Sequence, residues 1–461
     1  MNAFAKRIAA RTSDALRLGR FCAVLLFCLC SIPRAQAAAT LLLGEPYSYD
    51  GAFAGTGHAA VYLSHVCATS PVVLRPCAEG ESGVVLSRYD GIAGYDWVAI
   101  PLIPYLYAVD QQEAVPLFAD VKIVAFLRDQ YRRKYLESLA PDRPDGEMPT
   151  GNWYELVGAS YDRTIYGFAI ETSPEQDALL IRKFNSQPNR ERYNFVRRNC
   201  ADFGREVINF YYPHAVHRSL IADLGVTTPK QIAKMLAKYS RHHLELQTSH
   251  FLIPQVSGTI RRSTPVHGAL ESVVTAKKYM LPLFLLHPYV AGSLLAGYVG
   301  RGRFDPARNA LVLDSGHQLG TAVTREERRS YRNRLEELSR TDAGIYAAIE
   351  GKDWEHFQAR AEPMLDSSGN PVMQVGVGGG SLRIGISRAN LLSSVESPEL
   401  AAGLLQARLR QELRSSTARK TAHTDVENDL MLLQQLVETQ RREFSGTLSS
   451  ANENQVQTGS Q

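Results

Sequence analysis

The segment Tyr193-Asn-Phe-Val-Arg-Arg-Asn199-Cys200-Ala-Asp-Phe203 decides how the chain is read. A polar, arginine-flanked turn runs into the apolar-periodic stretch Phe203, Val207, Ile208, Phe210. That spacing predicts a helix with Cys200 in its first turn. There, unpaired backbone N–H groups and the positive end of the macrodipole favour thiolate over thiol. Arg197 and Arg198 push the same way, and thiolate is the reactive form. The competing reading is an inert cysteine in a core helix, because free cysteine is among the most buried residue types.

Working outward, residues 1–37 read as a secretory signal. Basic residues (Lys6, Arg7, Arg11, Arg17, Arg20) precede the apolar run Phe21 to Ile32, and Ala35-Gln36-Ala37 supplies a small-residue cleavage pattern. The leader carries six basic residues and one acidic, so its removal takes the formal charge from +4 to about −1. The basicity is therefore an export feature, and nucleic acid is excluded as a partner. The expected location is periplasmic. Export also removes Cys22, Cys28 and Cys30, leaving Cys67, Cys77 and Cys200. In an oxidising compartment, Cys67 and Cys77 are expected to close a short loop as a disulfide, with Cys200 left as the free thiol.

The mature chain is long enough for more than one domain. Residues 39–245 mix strand signals (Ala59–Leu63, Gly83–Arg88, Trp97–Tyr107, Thr164–Thr172) with helix signals (Leu127–Leu139, Pro174–Asn185, and Thr228 through Tyr239). Ser173-Pro-Glu-Gln176 is a capping box with proline at the first helical position. Residues 246–278 look like a linker. Tyr279–Gly300 is uncharged and apolar between Lys277-Lys278 and Arg301, but Pro282, His287 and Pro288 break it. Two readings stay open: a buried or membrane-associated helical hairpin, and a true span. Residues 301–445 read as mostly helical, with a capping box at Thr324-Arg-Glu-Glu327 and amphipathic stretches Ala401–Leu413 and Val426–Phe444. Val372–Gly376 and Ser381–Ser387 suggest a β-hairpin around Gly378-Gly379-Gly380, and residues 446–461 read as a disordered tail. The fold class expected is α+β.

A thiol catalyst needs a base and something to orient it. His58, in Gly55-Thr-Gly57-His58-Ala-Ala-Val-Tyr-Leu63, follows a glycine-rich turn and begins an apolar strand, so its imidazole is expected at one end of a sheet. A satisfied structural histidine is the alternative. The pair Gly57-His58-Ala59 and Asn199-Cys200-Ala201-Asp202-Phe203, in that order, resembles the circularly permuted branch of the papain-like fold. That branch includes permuted NlpC-type hydrolases and lecithin:retinol acyltransferase-like enzymes. The approach Tyr193-x-Phe195 to Asn199-Cys200 is similar to that of Lnb-type periplasmic domains. The resemblance covers roughly residues 45–215. It implies an antiparallel sheet packed on the cysteine-bearing helix, followed by the helical C-terminal region. It implies Cys200 as nucleophile and His58 as general base, with helix-start amides stabilising the oxyanion. It also implies a third polar residue on the next strand, Gly83-Val-Val-Leu-Ser87-Arg88. That position is Ser87, where acyltransferase relatives carry histidine. Asp90 and His65 are the other candidate orienters.

No cofactor or metal is called for. The glycine run at 378–380 lacks the Lys-Ser/Thr of a phosphate loop, His214-x-x-His217 has no third ligand nearby in sequence, and His-Glu-x-x-His and Gly-x-Ser-x-Gly are both missing. The expected function is an exported cell-envelope cysteine hydrolase or acyltransferase acting on amide or ester bonds of a peptide or acylated substrate. Membrane association would come through 279–300. The alternatives are a catalytically inactive papain-like binding or assembly module, and a membrane-anchored structural protein.

Overall fold

A computed structural model describes residues 38–47, 56–190, 192–219, 223, 225–246, 248–341, 352–377, 380–392 and 398–458. The expected signal, residues 1–37, lies outside them. In chain order the elements begin with strands β1 (Ala38–Gly44), β2 (His58–Leu63), β3 (Val66–Ser70), β4 (Val73–Pro76), β5 (Val84–Ser87) and β6 (Val98–Pro101). Helices α1 (Leu102–Tyr107), α2 (Val121–Tyr131) and α3 (Ala159–Asp162) lead to β7 (Ile165–Glu171). Then come α4 (Pro174–Ser186), α5 (Cys200–Tyr211), α6 (Pro229–His242), β8 (Ser249–Ile253), α7 (Ala269–Thr275), α8 (Lys277–Leu286) and α9 (Pro288–Gly297). The rest comprises β9 (Leu311–Leu313), β10 (Leu319–Gly320), α10 (Arg325–Thr341), α11 (Lys352–Arg360), β11 (Glu362–Leu365), β12 (Pro371–Val377), β13 (Gly380–Gly385), α12 (Pro398–Glu412) and α13 (His423–Thr458).

Eight strands form one mixed sheet in the order β10-β9-β8-β7-β1-β2-β5-β6. All its pairs are antiparallel except β8 with β9, so the expected all-antiparallel sheet is corrected to a mixed one. β1 lies between β2 and β7, with Leu43 opposite Ala59 and Gly44 opposite both His58 and Ile165. Strand alternation explains its near-continuous apolar sequence. Ala39, Leu41 and Leu43 join Ala59, Val61 and Leu63 on one face, against Phe203, Val207 and Ile208 of α5 and Ile232 and Leu236 of α6. Leu42 and Ala60 face the other way, into a core shared with Tyr105, Leu106, Leu404, Leu405, Leu430 and Leu433. A sheet covered on both faces needs apolar residues at every position.

That second face is covered by residues from the C-terminal region. Helices α12 and α13 cover the sheet, β8 extends it from the region expected to be linker, and β9 and β10 extend it from the region expected to be mostly helical. Ala38–Gln461 accordingly form one compact unit. Strand β1 lies outside the strands expected from sequence. The run Trp97–Tyr107, expected as one strand, is β6 followed by α1, since Pro101 and Pro104 withhold ladder donors. Helix α13 continues to Thr458, past the start of the expected disordered tail. The apolar segment falls mainly in two ten-residue helices, Lys277–Leu286 and Pro288–Gly297, joined at His287. Among the described residues no helix is long and apolar enough to cross a membrane. Cys67 and Cys77 form the expected disulfide, joining β3 to the end of the β3–β4 hairpin.

Candidate active site

Four chain segments converge at one end of the sheet: the end of β1, the start of β2, the end of β5, and the residues entering β7. Gly57 holds a positive φ of 71°, and a Cβ there would lie 2.2 Å from the Gly44 carbonyl oxygen. Only glycine permits that approach, and it is what turns the chain into β2 with His58 as its first residue.

Helix α5 is anchored by its cap. The Asn199 side chain accepts from the Asp202 amide at 2.9 Å, and the Asp202 carboxylate accepts from the Asn199 amide at 3.3 Å. Asn199 Nδ2 also donates to the carbonyls of Phe195 (2.8 Å) and Thr227 (2.9 Å). Asp202 is fully buried and takes further bonds from Thr227 Oγ1 at 2.7 Å and Arg218 at 2.9 Å. The asparagine before the cysteine is thus a structural cap with its donors used. Cys200 follows as the first helical residue, buried and unbridged.

The backbone amides of Ala59, Ala201 and Cys200 lie near enough to the sulfur to pull its pKa down. The His58 ring stacks on Tyr89, with centroids 4.8 Å apart and planes 14° apart. Its Nε2 is hydrogen-bonded to Ser87 Oγ at 2.6 Å. Ser87 is fully buried opposite Ala60, on the same sheet face as His58. Nδ1 makes no hydrogen bond among the described residues. Asp90 is exposed in the turn after β5, and His65 lies at the opposite end of β2. Of the three candidate orienters, only Ser87 reaches the imidazole.

The electrostatics depart from expectation. Burial pushes the Cys200 thiol up, and the surrounding amides and the Arg163 guanidinium offset that only in part. Burial first, then Arg163, holds His58 down at about 3. Both groups are therefore neutral near pH 7, not a thiolate–imidazolium pair. The arginines beside the cysteine do not supply the expected field. Arg197 is exposed, and Arg198 is tied to Asp96 at 2.7 Å. Arg88 also binds Asp96, at 2.8 Å, and lies 4.9 Å over the Phe203 ring, locking β5 to α5.

Arg163 was not anticipated. It enters from the residue pair before β7, and its contribution depends on a crossing over β1 that no local motif records. His214 and His217 are both exposed, on the turn after α5. The one cluster of metal-type ligands among the described residues is Cys67, Cys77 and Glu81, whose sulfurs are already joined to each other. A cavity of about 660 Å³ between the sheet and the C-terminal helices is lined by Thr164, Arg262, Glu412 and Lys420, but not by Cys200, His58 or Ser87. No protein-family model, curated protein or solved structure matches this chain.

Proposed function

We propose that the chain is a thiol hydrolase or acyltransferase of the cell envelope, built on a permuted papain-like scaffold and acting on amide or ester bonds. The observation that supports this is the convergence at the sheet end: Cys200 opens the helix packed on β2, and Ser87 holds Nε2 of His58 at the start of that same strand. With the resting pair neutral, His58 Nδ1 takes the thiol proton as the sulfur attacks the substrate carbonyl. The amides at the start of α5 receive the oxyanion. Collapse breaks the carbonyl bond to nitrogen or oxygen, His58 returns the proton to the leaving group, and a thioester to Cys200 remains. Water or a second nucleophile then releases the acyl group. A peptide or an acylated envelope molecule fits this chemistry, and fold analogy does not choose between them.

A second reading, an inactive scaffold, draws support from the same electrostatics, since buried thiols with raised pKa are poor nucleophiles. Labelling of Cys200 by a neutral thiol electrophile separates the two. Catalytic pairing predicts a rate at least about tenfold lower in His58→Ala. Equal rates with and without the imidazole favour the scaffold.

We also infer that the α8–α9 hairpin docks on anionic lipid. Helix α8 buries none of its residues and α9 only Ala291, leaving Leu285 76 %, Leu286 73 % and Tyr289 91 % exposed. No charged residue occurs from 279 to 300, while Lys277 and Lys278 stand exposed at the base and Arg303 follows the second helix. Helices of this length extend about 15 Å, half of a hydrocarbon core of about 30 Å. The hairpin therefore enters one leaflet, with its basic base at the headgroups.

A further inference from the structure

The buried arginines of this protein pair with carboxylates: Arg88 with Asp96, Arg128 with Asp162, Arg132 with Asp129 and Asp142, Arg408 with Asp429. Arg163 does not. It is 9 % exposed, its Nε is buried with no partner, and no hydrogen bond or ion pair reaches its guanidinium among the described residues. A buried guanidinium without a hydrogen-bond partner calls for an explanation.

Its position supplies one. The side chain crosses the end of β1, where a Cβ on Gly44 would stand 2.6 Å from Arg163 Cδ. Gly44 is the residue paired with His58. The guanidinium carbon lies 4.2 Å over the Tyr47 ring, which holds it without neutralising it. From there its charge is felt by both His58 and Cys200. The acids around it favour its charge from a distance without bonding it: Asp162 is bonded by Arg128, and Glu155 makes no bond to Arg163. In the proposed chemistry the amides at the start of α5 receive the oxyanion, which leaves this charge for another group.

We propose that Arg163 binds a carboxylate carried by the substrate close to the carbonyl that Cys200 attacks. The planar guanidinium fork matches a carboxylate in two parallel hydrogen bonds. This rests on the thiol-chemistry reading and narrows it. The favoured substrates are acyl compounds, such as peptides, with a free carboxylate next to the scissile bond, and neutral analogues are disfavoured.

The test needs no natural substrate. Iodoacetate and iodoacetamide alkylate the same sulfur by the same displacement: the S–C bond forms, iodide leaves, and the thiol proton passes to His58 or solvent. They differ in one carboxylate. The ratio of their rates at Cys200 in the chain from Ala38 onward, read by mass spectrometry, cancels changes in thiol reactivity. The iodoacetate-to-iodoacetamide ratio is expected to be at least about fivefold higher in the folded wild type than in folded Arg163→Gln, with Arg163→Lys in between. It is also expected to exceed the ratio for the same chain unfolded in urea, a comparison that stands even where Arg163→Gln does not fold. A folded ratio no higher than the unfolded one, or unchanged in folded Arg163→Gln, overturns the assignment. Failure of the underlying chemistry looks different: neither reagent labels Cys200 in the folded chain, and both readings then fall together.

Discussion

His58 offers a quantitative test that requires no knowledge of substrate. Its folded-state pKa is depressed to about 3 from an ordinary 6.5. The unfolded chain therefore binds more protons than the folded one across that window. Stability rises with pH wherever the unfolded state holds the extra proton. The contribution is complete above 6.5 and is lost progressively as pH falls toward 3. Each unit is worth about 1.4 kcal/mol, so the whole window amounts to about 5 kcal/mol, and about 2 kcal/mol is already gone between pH 8 and pH 5. Other buried groups titrate nearby. Asp223 and Glu412 are raised to about 7 and about 8, and His250 and His317 are lowered. Comparison with His58→Gln removes them, because they are common to both proteins. Urea unfolding of wild type and His58→Gln, followed by the fluorescence of the buried Trp97, Trp153 and Trp354 at pH 8, 7, 6 and 5, provides the measurement. Wild type is expected to lose about 2 kcal/mol more than the variant on acidification to pH 5. Parallel curves, agreeing within about 0.5 kcal/mol at all four values, would refute a dry, neutral imidazole at the sheet end.

Ser87→Ala leaves the His58 Nε2 without its 2.6 Å partner, so it is expected to cost about 1–2 kcal/mol in urea unfolding and to slow Cys200 labelling; Ser87→Thr, which keeps the hydroxyl, should restore the labelling rate if the role is orientation. Gly57→Ala forces a Cβ to within 2.2 Å of the Gly44 carbonyl at positive φ, and a melting temperature unchanged from wild type would contradict the turn described. In flotation with phosphatidylglycerol-containing vesicles, the chain from Ala38 onward should rise with the lipid, and the double variant Leu285→Ser, Leu286→Ser should stay behind. Binding equal to wild type in that variant, or no flotation of either protein, removes the hairpin from the membrane.

The site was legible to the extent that its signals are local. The capped helix at Cys200, the glycine turn into His58, the strand bearing Ser87 and the short-range cysteine pair are all written in a few adjacent residues. The structure describes each at its expected place, with β5 one residue shorter at either end. The ionisation state was not legible. The helix-start position and neighbouring arginines argue for thiolate, but burial outweighs the amides, and Arg198 is spent on Asp96. Arg163 carried no signal, since Gly44 and Arg163 are far apart in sequence and their contact exists only across a formed sheet.

The amino-acid order by itself determined the alternation of strands and helices, the caps, the leftover thiol and the break in the apolar 279–300 stretch, because these depend on backbone preference and spacing over a turn or two. Tertiary structure alone decided that β1 is central, that residues read as linker extend the sheet, and that distant C-terminal helices cover its second face. Those outcomes turn on which apolar surfaces meet, and a buried face is specified by its partner as much as by its own sequence. The same holds for charge at the sheet end: desolvation is a property of the assembled surroundings, and it set the resting state of both His58 and Cys200.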